Sequence, residues 1–541
     1  MKQENTNFFD ARTIVSIILM TAIFVGWQSY MQRKYPQSYR KKEAVVAPKR
    51  DSLGAATGAP VASESEIAKS SGGKGAEVSA PSQEKLVEYK SQNIQFAISS
   101  RGMGLKDYKV LSYKDRQGNT VALGLEPSDP VALPLETRLL GHSEPLTFAI
   151  ERVNDNMFVG RAQVGGLKIT KTMEIIPDKY LLQFRVSATG QEAGFVGLST
   201  LLIQEAESHK KETFLLPQLE KQEFFIEAAD GKDRTPFKKE DFDKAWTKVK
   251  VASIGSQYFT QALLDQSPVL PEAKGQLTRS KDAAEILMNY PVLTPGAEFV
   301  LDYKAYLGPK SFGLLRKIDP SLASVVDFGW FSWIAQRIFE VMGWFHGLVG
   351  NWGLAIICLT LLVRLFVLPL NIYSYRSMRA MQAVQPQVQL LRERFKDDQQ
   401  KQQAEIMHLF REHKVNPLGG CLPVLLQFPI FIALYQVVGH SIELYQAPLG
   451  LWIHDLSLKD PYYILPVFMG LTMFIQQKIT PNATMDPAQA KVLMLMPLLF
   501  TGFMVSLPSG LTLYMLVGAV FSVAQQTYFM RSKKNPSVGV S

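Results

Sequence analysis

Arg364 is the residue whose chemistry is hardest to house. It stands in Cys358-Leu-Thr-Leu-Leu-Val-Arg364-Leu-Phe-Val-Leu-Pro369, about a dozen residues into the stretch 352–370, where it is the only charged residue. Burying a guanidinium at such depth in a bilayer is unfavourable by about 2.5–3.5 kcal/mol on insertion scales. Snorkelling requires it to reach a cytoplasmic end six to eight residues away, ~9–12 Å along a helix axis. An ion pair requires a carboxylate. None of the five apolar segments 352–370, 421–441, 462–477, 492–507 and 511–530 contains Asp or Glu, and the nearest is Glu443. A cation without a counter-ion persists where water reaches it. The third reading is therefore a hydrated, positively charged cavity open toward the cytoplasm. Thr360, Gln427, Gln436, Gln476, Ser506 and Thr512 are the polar side chains available to line it. Each is also of a type that packs or bonds within helices.

No other constellation promises catalysis. Two cysteines, Cys358 and Cys421, exclude a disulfide scaffold and an all-cysteine metal site. The seven histidines show no HxxH or HExxH spacing. No nucleophile elbow, P-loop or distinctive pair of carboxylates is found. The expectation is a protein that is not an enzyme and has no catalytic residue, metal or cofactor. A proton pump would need intramembrane carboxylates or histidines in relay, and a voltage sensor would need repeated arginines.

A wet notch that stops partway across a membrane suits an amphipathic passenger, a polypeptide with polar flanks and an apolar span. Phe428, Pro429, Phe431, Phe500, Phe503 and Met504, with Leu434, Met469 and Met473 nearby, would let its apolar part slide toward lipid. Individually they also read as ordinary packing or lipid-facing residues. Residues 373–420 form a basic loop carrying Arg376, Arg379, Arg392, Arg394, Lys396, Lys401, Arg411 and Lys414. Apolar spacing at Met378, Met381, Val388, Leu391 and Phe395, then Ile406, Leu409 and Phe410, predicts an antiparallel helical hairpin around Lys396-Asp397-Asp398. It reads either as a solvated face or as a docking site for an emerging chain or its ribosome.

The elements that would position these residues make a composite protein. Its 541 residues have a mean hydropathy of +0.01, too polar for a pure membrane bundle and too apolar for most soluble enzymes. The net charge of +9 is modest for this length and predicts no nucleic-acid recognition. Residues 1–31 carry an apolar run from Ile14 to Trp27 without a small-x-small cleavage site, read as an uncleaved anchor rather than a signal peptide. The segment 32–84, poor in aromatics and rich in Ala, Ser, Gly, Lys and Glu, predicts a flexible tether. From 85 to 320, short alternating runs broken by turns predict an antiparallel β-sandwich, with a helical patch near 238–250. Only His142 and His209 lie within it, so it reads as a binding or positioning module. Residues 321–350, with Trp330, Trp333 and Trp344 among interspersed charges, predict an interfacial amphipathic helix or a buried soluble one.

The remainder divides into spans at 351–372, 421–442, 462–478, 492–508 and 509–530, with connections at 373–420, 443–461 and 479–491 and a short basic tail at 531–541. Segments of sixteen residues reach only ~24 Å, short of a hydrocarbon core of about 30 Å, which predicts local thinning. Pro423, Pro429, Pro466 and Pro497 would kink or shorten them. The alternation of basic loops places 373–420 and both termini in the cytoplasm, giving six spans with the β domain on the opposite, periplasmic face.

Several longer motifs carry a resemblance. Asn351-Trp352-Gly353 leading to Arg364, Asn416-Pro417-Leu418-Gly419-Gly420-Cys421, Gln427-x-Pro429-Ile430-Phe431, Leu451-Trp452-Ile453-x-Asp455-Leu456, Asp460-Pro461-Tyr462-Tyr463 and Pro508-Ser509-Gly510-Leu511 resemble the YidC membrane protein insertases. The likeness is dense from about 320 to 530, and the anchor–tether–β-domain order is similar to the Gram-negative subtype. The resemblance implies insertion and assisted folding of new inner-membrane proteins, alone or with the Sec translocon. Its implied partners are nascent membrane proteins, the ribosome and the phospholipid bilayer. It maps the family's groove arginine onto Arg364 and further groove positions onto Thr360 and Gln427, within a five-span core with a hydrophilic groove. It also implies a β-supersandwich like that of sugar mutarotases, without catalysis. Two features depart from the family pattern: the tail after Met530 is only eleven residues with three basic charges, and Met515 stands where relatives often carry a second aromatic. A small-solute channel, or a periplasmic folding factor anchored by the spans, are the rival classes.

Overall fold

The computed structural model describes residues 84–531 except 126–131, 191–194, 207–221, 238–240, 279–281, 293–298, 330, 397, 414, 416–421 and 480–486. The expected anchor, almost all of the tether and nearly the whole tail lie outside the described residues.

Alternating runs between 86 and 309 form three sheets in which every neighbouring pair of strands is antiparallel. The largest has nine strands. Its centre is Val249–Gly255, Phe259–Asp265, Phe299–Pro309 and Leu181–Gly190, paired in that order. A five-stranded sheet runs Phe242–Trp246, Glu272–Thr278, Ala283–Pro291, Gly197–Glu205 and Thr137–Leu139. Phe259–Asp265 is buried at every position, and Gly197–Glu205 at all but its last. A strand covered on both faces reads as a continuous rather than alternating apolar run, as in a sandwich interior. Antiparallel sheets in a β-sandwich are therefore observed, as expected.

The helical patch expected near 238–250 is not present where the chain is described. Phe242–Trp246 and Val249–Gly255 are strands. Tertiary contacts override the local pattern: Phe242 stacks on Phe224 at 5.7 Å, and the Trp246 indole lies against Gly275 while its Nε1 donates to Asp233 Oδ2 (2.8 Å).

Lys171 and Asp265 are among the buried ionisable groups of this domain. Lys171 occupies an inward position of its strand, and its ammonium donates to the carbonyls of Gly102, Met103 and Leu135 and to Thr137 Oγ1 at 2.6–3.2 Å. Asp265 ends its strand, accepting from Ser267 Oγ (2.9 Å) and Ser267 N (3.2 Å), and burial pushes its carboxyl up to about 6. The sign follows directly. Between the unfolded value of 3.8 and about 6 the folded chain holds a proton that the unfolded chain has lost, so this contribution to stability falls as pH rises. Asp265→Asn is expected to remove that decline. Unfolding midpoints of the full chain across pH 4–6 should show wild type losing ground against the variant; parallel profiles would refute the assignment.

After the sheets come eight helices among the described residues: α1 (Phe312–Ile318), α2 (Ser332–Val349), α3 (Trp352–Arg394), α4 (Gln399–Glu412), α5 (Leu422–His440), α6 (Ile464–Ile479), α7 (Pro487–Met504) and α8 (Ser509–Arg531). Asn351 caps α3, its side chain accepting from Leu354 N (3.0 Å). The helix then runs 43 residues through Pro369 and Pro386, ~64 Å. The first expected span and the first arm of the expected hairpin are thus one uninterrupted rod. Of the described helices, α3 alone is long and apolar enough to cross a membrane, and a third of that apolar stretch is buried. Leu426–His440, Ile464–Ile479 and Met494–Met504 are apolar but shorter.

The sheets meet the helices at the turn after α5. Tyr445 packs on Tyr258 (4.7 Å) and Phe259 (6.2 Å), and its hydroxyl donates to Lys114 O (3.0 Å). Ser311 Oγ donates to Glu443 Oε1 (2.8 Å), and the Gln257 amide donates to Gly439 O.

Candidate functional site

Helices α3 and α8 build the surroundings of Arg364. Ile356 meets Gly510, the Arg364 guanidinium lies on Gly518, Asn371 Nδ2 donates to Gln525 Oε1 (3.2 Å), and Tyr375 stacks on Phe529 (6.0 Å). Each pair is separated by the same 154 residues. Residue numbers rise together on both helices, so the two run parallel in a fixed register. Successive rungs are eight, seven and four residues apart, the spacing that keeps one helical face on its partner.

Arg364 is half-buried as a residue, with Tyr514 and Tyr375 as the electrostatic neighbours of its guanidinium. Among the described residues no carboxylate comes within ion-pair distance of it. From α5, Gln427 reaches Tyr514. Arg364, Gln427 and two tyrosines are therefore gathered from three helices. Asn371, Ser374, Ser522, Gln525 and Gln526 continue this seam as buried polar residues. They were missed from sequence, although polar residues recurring at helical spacing, Arg364, Asn371 and Ser374 on α3 and Ser522, Gln525 and Gln526 on α8, are a signal that could have found them.

The other expected lining residues lie apart from this group. Thr360 is fully buried, and its hydroxyl donates to Ile356 O (2.7 Å) within its own helix. Gln436 packs against Gly329 ahead of α2, nine residues beyond Gln427, ~13 Å along α5. Ser506 sits in the connection between α7 and α8, and Thr512 Oγ1 donates to Pro508 O (3.3 Å) in the first turn of α8. Gln476 is half-buried near the end of α6. Thr360 and Thr512 thus bond carbonyls one turn back in or beside their own helices, and Gln436 packs on another element.

The expected sliding surface divides as well. Phe428 and Phe503 are exposed by 61% and 41%, while Pro429, Phe431 and Phe500 are half-buried. Met504 is wholly buried, like Leu434 and Met469, and belongs to the packed interior instead. What sequence did not single out is a wider outward-facing apolar band, including Leu365 and Phe366 on α3, Val467 and Phe468 on α6, and Leu498 and Leu499 on α7. Phe366 is 83% exposed two residues from Arg364. Large apolar side chains facing outward in this number suit lipid or another apolar partner.

The basic hairpin has its own small core. Met381, Val384 and Val388 of α3 pack with Phe410 and Val415, flanked by Ile406 and Leu409. Met378, Leu391 and Phe395 are half-buried, the last with Arg394 and Lys401 over its ring at 5.8 and 5.5 Å. On α2, Ala335, Ile338 and Met342 are buried, whereas Trp333, Trp344 and Leu348 face outward. Among the described residues no three His, Cys, Asp or Glu side chains gather to hold a metal ion.

Two family models match the chain, one described as YidC periplasmic domain over residues 87–341 and one as 60Kd inner membrane protein over 344–536. A protein named membrane protein insertase YidC from Geobacter metallireducens is 32% identical over 550 residues, covering 97% of this chain and 98% of that protein. A protein of the same name from Marinobacter nauticus is 43% identical over 313 residues, 56% of this chain and 55% of the relative. The chain thus spans about half the length of some relatives it matches and nearly all of another. A solved structure titled as an active YidC insertase with its first transmembrane domain resolved is 19% identical, covering 83% of this chain and 93% of that one at a TM-score of 0.39.

Proposed function

Because the chain belongs to the YidC family of membrane protein insertases, we propose that it inserts newly made proteins into the bacterial inner membrane through a hydrated groove beside Arg364. The observation that carries this reading is a half-buried Arg364 without a carboxylate partner among the described residues, next to outward-facing apolar side chains. The two surfaces match the two halves of one passenger. A polar, acidic end is drawn to Arg364, where a partly water-excluded setting strengthens the attraction. The apolar segment moves along Phe428, Phe431 and Phe503 into lipid.

The proposed arrangement has six spans: the N-terminal anchor, α3, α5, α6, α7 and α8. The hairpin and both termini lie in the cytoplasm and the β-sandwich in the periplasm, as the distribution of basic loops indicates. The shortness of the apolar helices supports local thinning, which shortens the passenger's path. The hairpin's basic exterior would receive the emerging chain and, transiently, the ribosome, and the Sec translocon would share clients with it. No covalent step is needed. Hydrophobic partitioning drives transfer, aided by the membrane potential on acidic residues.

The deciding experiment places a photocrosslinker at Gln427 or Phe428 and stalls a nascent membrane protein at successive lengths. Crosslinks are expected as the apolar segment emerges, with no solute flux through liposomes carrying the full chain. Flux without crosslinks would favour a solute channel, and activity from the sheets alone would favour an anchored folding factor.

A further inference from the structure

Glycine weakens a helix interior, so a buried one inside α8 needs a reason. Gly518 is buried, and its reason is Arg364: a Cβ there would stand 2.5 Å from Nη2, 3.1 Å from Nε and 3.3 Å from Cζ. No real Cβ contact is as short as the first of these, so any side chain at 518 must move the guanidinium. The register that sets Gly518 opposite Arg364 is fixed one heptad further on, where Asn371 donates to Gln525 among buried residues. A slip of one residue would break that amide pair and bring a side chain against the arginine. Arg364 as a residue is only half-buried, so the missing side chain at 518 decides where the planar fork lies rather than burying it.

We propose that Gly518 is a positioning residue, the seat that holds the Arg364 guanidinium flat on α8 and turned toward the groove, with the Asn371–Gln525 pair setting its register. The proposal rests on the groove reading above.

The test uses the full chain in proteoliposomes with two clients that differ only in having an acidic or a neutralised translocated segment. Gly518→Ala should lower insertion of the acidic client by roughly threefold, a part of what removing the charge costs. It should leave the neutral client and the unfolding midpoint unharmed, since alanine favours a helix. Combining Gly518→Ala with Arg364→Lys should recover part of the loss, because a compact ammonium has no planar fork to be displaced. Gly343→Ala in α2, where a Cβ meets nothing within 4 Å, is the control. If Gly518→Ala lowers both clients equally along with the midpoint, its role is packing and the proposal is overturned. If it leaves the acidic client untouched while Arg364→Ala does not, the seat is wrong and the groove stands. If Arg364→Ala is also harmless, the groove reading falls and takes the seat with it.

Discussion

Arg364→Glu should all but stop insertion of clients whose translocated segments are acidic. Opposite unit charges about 6 Å apart attract by roughly 3 kcal/mol at an effective dielectric of about 20. Arg364 is only half-buried as a residue, and solvent screening reduces that to about 1–2 kcal/mol. Removing the charge with Arg364→Ala therefore costs about tenfold, and reversing it costs nearer a hundredfold, because attraction becomes repulsion. Arg364→Lys retains the charge and should retain most of the activity. The loss should scale with the number of acidic residues in the segment, read as protease-protected client in vesicles. Arg364→Glu that inserts such clients as well as wild type would exclude the groove mechanism.

Why this arginine was visible in sequence, and its setting was not, has a physical basis. A guanidinium in an apolar run with no carboxylate in any neighbouring run is anomalous in composition alone, and composition needs no coordinates. Its contact with Gly518 depends on the 154-residue register between α3 and α8, a tertiary quantity that neither helix encodes separately. The same limit left the surroundings of Gln436, Ser506 and Thr512 unread. A polar residue in an apolar helix is recognisable as polar, but its depth and its partner helix are set by packing. The alternating strands were legible because their period of two survives in each strand separately. The stretch expected as a helical patch near 238–250 was not, because Phe242 and Trp246 are fixed by rings and a carboxylate elsewhere in the fold. The hairpin's apolar stripe was legible in period, but its core runs through Val384, which the expected stripe omitted. The uninterrupted passage of α3 through Pro369 shows that a proline inside an apolar helix need not end it.

A second large effect is expected far from the charge. Asp460 is 1% exposed, with both carboxylate oxygens in use. Oδ1 accepts from Trp452 Nε1 (3.1 Å) and Tyr462 N (3.0 Å), and Oδ2 accepts from Leu465 N (2.7 Å) in the first turn of α6. One side chain therefore caps α6 and ties the preceding loop to it. Asp460→Ala would leave one buried and two partly buried donors without their acceptor and is expected to cost about 2–4 kcal/mol. Asp460→Asn keeps the shape but turns one acceptor into a donor facing another donor, so its loss should be intermediate. Unfolding midpoints of the full chain and protease cleavage within 445–463 would measure this. An unchanged midpoint for Asp460→Ala would contradict the cap. Because α6 carries Val467, Phe468 and Leu471 of the apolar band, loosening it should lower insertion of every client by a similar factor. Arg364→Glu should instead separate clients by charge. The contrast assigns charge selection to the α3–α8 seam and the apolar path to the elements that Asp460 holds in place.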